Sequence, residues 1–209
     1  MPKFCNLESA MYDGVGKYRI PEIKPVYELP INKWIGYNYV KKYGTQKDIS
    51  TGVHFFIYDY HFECVWNAPD KYLTYLSRYG CVLSPDFSIF PDFPLAVNIF
   101  NHYRKHWLAA YWQSKGITVI PSICWSDESS FEWCFDGEPV GGIVAVSDVG
   151  CRKNEATQEG FKRGYNEMLK RLNPSKILLY TGVIKNDYPG NVICVKRANG
   201  LTSVEGGDS

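Results

Sequence analysis

Four aspartates stand at the ends of short apolar runs. Asp59 lies in Asp59-Tyr60-His61-Phe62-Glu63, Asp86 in Ser84-Pro85-Asp86-Phe87-Ser88, Asp127 in Trp125-Ser126-Asp127, and Asp148 in Ser147-Asp148-Val149-Gly150. Carboxylates gathered from such positions can move protons, hold a divalent cation or accept hydrogen bonds from sugar hydroxyls. Asp59, Asp86 and Asp127 are the candidate catalytic groups. Around them, Tyr60, Phe87 and Trp125 offer rings for stacking, Ser88, Ser147 and Tyr180 offer hydroxyls, and Arg152 offers a cation to an anionic group. Asp86 is the strongest single choice: Pro85 stiffens its turn, and Phe87 can shield the carboxylate from water, which raises its pKa and suits it to proton transfer. The competing account is structural, because Asp and Ser between a strand and a helix are common N-caps. Asp59 and Asp86 lie several residues before their helices, so caps do not explain the whole set.

Other spacings carry less. Ser129 and Glu132 have the spacing of a capping box. His102 and His106 are four residues apart in a helical pattern, but HExxH is absent and no third ligand is apparent, so a surface or half-buried pair is expected and no metal ligand is assigned. His61 near Asp59 is either a base or a solvent-facing side chain. Gly141-Gly142 precedes a strand rather than following it, and neither a Walker sequence nor GxSxG occurs, which argues against a dinucleotide fold and an α/β-hydrolase triad. The turn Ser147 to Arg152 can present backbone N–H groups to a phosphate.

The elements that must position these residues follow from apolar runs and their period. Strands are expected at 53–58, 81–84, 117–123, 142–147 and 176–180, with a sixth at 192–195; helices are expected at 68–79, 94–115, 129–135 and 155–172. Residues 34–43 fit either a helix or a strand. Continuous apolar strands alternating with helices imply an α/β fold: a mainly parallel sheet of five or six strands with helices on both faces, doubly wound or an incomplete barrel. In either architecture ligands sit at the carboxyl ends of the strands, so Asp59, Asp86, Ser88, Trp125 and Ser147 are expected to converge on one concave site. Residues 1–50 read as an N-terminal arm and first element, and 51–209 as the α/β domain with a loose C-terminal tail, a single domain overall.

The bulk composition fits. The chain has 209 residues, 45% hydrophobic and 22% charged, enough for one sizeable core. A net charge of +1 supplies no field for a nucleic-acid backbone. Sixteen Tyr and six Trp exceed what a core needs, so some rings should line a surface or pocket. No pair among the seven Cys has CxxC spacing, and free thiols in a reducing cytoplasm are expected. No apolar run approaches a membrane span of about 20 residues.

His54-Phe55-Phe56-Ile57-Tyr58-Asp59-Tyr60, Ser84-Pro85-Asp86-Phe87-Ser88, Ile120-Pro121-Ser122 with Trp125, and Ser130-Phe131-Glu132 followed by Phe135-Asp136-Gly137 resemble domain of unknown function 4417, over about residues 30–182. That resemblance implies a phage or mobile-element context and brings no established activity. Two readings stay open: an enzyme acting on a nucleotide- or sugar-like small molecule, or a protein that binds such a ligand without turnover, sequestering a host nucleotide signal. Arg152 or Arg104 would hold the anion in the second. The cofactor and the oligomeric state are left open.

Overall fold

Side chains that alternate between two sides of short parallel strands decide this architecture. In the computed structural model, which describes residues 5–29, 31–43, 46–151, 154–182, 188–196 and 202–203, a small hairpin comes first, β1 (Gly14–Val15) with β2 (Ile20–Pro21). Strands β3 (Lys33–Gly36), β4 (Asp48–His54), β5 (Tyr79–Leu83) and β6 (Val119–Ile120) then pair in parallel, in that order. A second parallel sheet holds β7 (Ile143–Ser147), β8 (Lys176–Thr181) and β9 (Val192–Lys196). The short β10 (Thr202–Ser203) lies antiparallel on β3 and also touches β9.

The expected strands all run parallel, but in sheets of four and three parallel strands rather than one sheet of five or six. The break falls after β6, where Pro121 has no N–H to extend a ladder. Among the described residues, an isolated bridge between Ser122 and Ala145 joins the sheets there, with the Ala145 N–H donating to the Pro121 carbonyl and the Ile123 N–H to the Ala145 carbonyl, both at 2.8 Å.

Cys81 and Leu83 of β5, Ile143 and Ala145 of β7, Leu178 and Tyr180 of β8 and Val195 of β9 share one apolar interior with Trp34 of β3. The intervening Ile35, Val53 and Val82 face α1 (Val40–Tyr43), α2 (Glu63–Asn67), α3 (Pro69–Leu76) and α4 (Leu95–Ser114). Val144, Val146, Ile177 and Leu179 likewise face α5 (Glu155–Leu172). Helices therefore cover one face of each sheet, not both, because the opposite faces close on a shared interior. That interior is packed: the space between His54, Phe56, Leu83 and Tyr180 is about 10 Å³, room for one water at most.

Local signals explain the elements. α5 begins at a capping box between Asn154 and Thr157 and ends where Asn173 turns left-handed, φ 41°. α3 opens with Pro69 at its first turn. It stops at Leu76, short of the expected Tyr79, because Tyr79 and Gly80 are recruited into β5. β4 starts at Asp48, earlier than expected, in a polar stretch where Asp48 accepts hydrogen bonds from Ser50 and Thr51. Residues 34–43 are both a strand and a helix: β3 ends at Gly36, and a 3₁₀ turn at Tyr37–Tyr39 leads into α1.

All seven cysteines are free. Thiol titration of the unfolded, unreduced protein is expected to return seven; five or fewer would contradict this arrangement. Among the described residues, no helix is long and apolar enough to cross a membrane.

Candidate functional site

The loop that follows β5 carries Asp86 and is pinned to α4. Asn98 accepts from the Phe90 N–H at 3.1 Å and donates to the Phe90 carbonyl at 2.8 Å, and Asn101 donates to the Ser88 carbonyl at 2.6 Å. Asp59, in the 3₁₀ turn Asp59–His61 after β4, reaches the same loop: its carboxylate accepts from the Ser88 N–H and hydroxyl, both at 2.9 Å. Asp59, Asp86 and Ser88 are thus brought together from the ends of two neighbouring parallel strands. Asp86 is half-buried. Burial pushes its carboxyl up to about 7, and the charge of Asp59 adds to the rise; Lys105 and the Cys124 thiol oppose it.

Lys105 comes from α4, and its side chain is only 1% exposed. Its ammonium donates to the Ser122 carbonyl at 2.9 Å and to Glu138 Oε1 at 2.7 Å. The carboxylates and Cys124 around it hold its pKa above the ordinary lysine value despite burial. Asp86 therefore feels the charge of Lys105, which in turn pairs with Glu138.

The other expected site residues are placed differently. Asp127 is exposed and caps the 3₁₀ helix Glu128–Glu132, accepting from the Ser129 N–H at 3.0 Å and hydroxyl at 2.6 Å. Asp127, not Ser129, is thus the cap. Trp125 turns toward α5, 5.2 Å from Phe161 and against Gly164. Phe87 is buried, with the Arg104 guanidinium 3.6 Å above its ring, so that face is taken; Arg104 also bonds Glu63. Ser147 accepts from the Val149 N–H at 3.3 Å. Tyr180 packs in the interior, 4.7 Å from His54 and 5.2 Å from Phe56. Tyr60 is 74% exposed, as is Tyr58, and the two rings stack at 5.9 Å. Arg152 lies outside the described residues.

Beyond the turn of Asp59–His61, a space of about 170 Å³ is bounded by Tyr37, Lys41, His61, Cys64 and Tyr72. It falls below the roughly 300–1,000 Å³ of pockets that enclose a drug-sized ligand, so it suits a fragment, not a nucleotide.

The sequence reading missed the group around Lys105. His102 and His106 are fully buried rather than at the surface or half-buried, and Glu138 joins them as a third polar group. The i, i+4 spacing of the histidines was visible. Lys105 was hidden in Arg104-Lys105-His106, which reads as a solvated face, and nothing in the sequence marks Glu138.

A family described as "Domain of unknown function (DUF4417)" matches residues 12–195. The chain is 40% identical to the Gene 1 protein of Mycobacterium phage D29 over 164 residues, 78% of this chain and 60% of that protein. It is 36% identical to the Gene 1 protein of Mycobacterium phage L5 over 171 residues, 81% of this chain and 73% of that protein. The chain thus spans about three-fifths of the D29 protein's length. No solved structure matches.

Proposed function

The chain belongs to the phage-borne family of unknown function DUF4417, and from that premise we propose that it acts on a small nucleotide- or sugar-like molecule at the carboxyl ends of its parallel strands. The observation that carries this reading is the Asp86 loop held at the strand ends by Asp59 through Ser88, where burial raises the Asp86 carboxyl to about 7. Such a group exchanges protons at physiological pH, as general acid–base catalysis requires. Asp86 is the proton-transfer group, and Asp59 fixes the loop through Ser88 and keeps a second negative charge close. The exposed Tyr58 and Tyr60 rings offer a face for a base or sugar. In this reading the two sheets act as one incomplete barrel, and residues before and after position 50 form one domain. Near-neutral net charge favours a small molecule over a nucleic acid, and the phage origin of the relatives suits the host cytoplasm.

The exposed Tyr58–Tyr60 stack also supports the second reading, capture of a nucleotide signal without turnover. Incubating the protein with nucleosides, nucleotides and nucleotide-sugars, then recovering them by denaturation and mass spectrometry, separates the two: altered ligand means an enzyme, intact retained ligand a binder. Asp86→Asn is expected to lower turnover by about 10²–10⁴-fold. Unchanged turnover and affinity in that variant would remove Asp86 from the site.

The same substitution has a pH signature in stability. The folded carboxyl titrates near 7, above an unfolded value of about 3.9. The native state therefore keeps a proton that the unfolded chain has released. That contribution is fully present below about pH 4 and is lost as pH rises through 7. Asp86→Asn is expected to match wild type in melting temperature near pH 4 and to exceed it at pH 8; a constant difference across that range would contradict the raised pKa.

A further inference from the structure

We propose that His102, His106 and Glu138 form a buried three-ligand site for one divalent transition-metal ion of the zinc class. One ligand atom from each lies within 4.8 Å of the others, and all three residues are buried. The hydrogen bonds of the two imidazoles fix where their lone pairs lie. His102 Nε2 faces the Asp136 carbonyl at 3.0 Å, and a carbonyl only accepts, so Nε2 carries the proton and Nδ1 is bare. That Nδ1 is buried and has no hydrogen-bond partner among the described residues. His106 Nδ1 faces the Pro21 carbonyl at 2.8 Å and carries the proton, which turns Nε2 toward Glu138 Oε1, 3.0 Å away. The second carboxylate oxygen, Glu138 Oε2, is also buried without a partner among the described residues.

The result is a buried cluster of acceptors with too few donors: two imidazole nitrogens one helical turn apart and a carboxylate oxygen. Two histidines and one carboxylate are a recurrent zinc donor set. Metal-binding histidines characteristically donate their other ring N–H to a backbone carbonyl or carboxylate, and both do so here. Lys105 holds Oε1 at 2.7 Å and leaves Oε2 for the ion. The rival occupant is a second proton on His106, shared with Glu138 and needing no metal.

The test is independent of Asp86 and needs no variant to begin. Protein purified without chelators is expected to carry about one zinc-class ion per chain by elemental analysis. After chelation, added cobalt(II) should give the intense visible absorption of a four-coordinate site, titrating to one equivalent. Glu138→Gln and His102→Asn should each weaken zinc binding by more than about a hundredfold, measured with a competing chelator. Folded wild-type protein with neither stoichiometric metal nor a cobalt spectrum would overturn the site in favour of the proton. Stoichiometric binding that both substitutions leave unchanged would overturn it too, since the ion would lie elsewhere. Should either variant fail to fold, the wild-type cobalt titration decides.

Discussion

Lys105→Met in chelator-treated protein is expected to cost about 3–5 kcal/mol of folding free energy. Met keeps the volume of the stem and removes the ammonium. The loss is large because of what remains behind: Glu138, with a fully buried side chain, keeps its carboxylate but loses its 2.7 Å partner, and the Ser122 carbonyl loses its donor. At present Lys105 holds the Glu138 carboxyl below the ordinary glutamate value, against the effect of burial. An exposed ion pair would contribute a fraction of this figure, so the size of the effect itself reports burial. Urea unfolding measures it. The double variant Lys105→Met/Glu138→Gln should recover part of the loss, because no charge is then left without its counterpart. A single-variant cost under about 1 kcal/mol would show that the pair is not desolvated as the structure has it.

Gly164→Ala should destabilise the protein by about 1–3 kcal/mol, the reverse of the usual gain in a helix interior. A Cβ at Gly164 would stand 2.1 Å from Trp125 Nε1 and 2.2 Å from Cε2. The indole cannot move aside freely, since Phe161 packs at 5.2 Å on the same helix. One turn away, a Cβ at Gly160 meets nothing within 4 Å. Gly160→Ala is therefore expected to stabilise α5 by up to about 1 kcal/mol. The opposite signs of two identical substitutions in one helix check the packing of Trp125 without a ligand. If both stabilise, Trp125 does not lie on α5, and its ring is again available to the strand-end site.

The contrast between Trp125 and Asp86 shows where sequence reading reached. Both follow an apolar run, and both were expected at the mouth of the sheet. Asp86 lies there because its loop is bonded to α4 through Asn98 and Asn101. Trp125 does not, because a glycine on α5, remote in sequence, opens a slot for its ring. Asp127 illustrates a third case. An Asp two residues before Ser129 reads equally well as a catalytic group or a cap, and only the two hydrogen bonds to Ser129 choose the cap.

Local sequence signals suffice for the parallel strands, for α4 and α5, and for placing Asp59 and Asp86 after strands. These rest on local properties: apolar runs of strand length, a 3.6-residue period, the Asn154 cap and the Pro and Gly stops. Long-range packing sets the break of the ladder after β6, the helices on one side of each sheet, and the inward turn of Lys105, His102 and His106 toward Glu138. A buried charge in a helix has the same local signature as an exposed one. Its burial depends on whether a loop distant in the chain brings the opposite charge, and that pairing leaves no period or spacing to read.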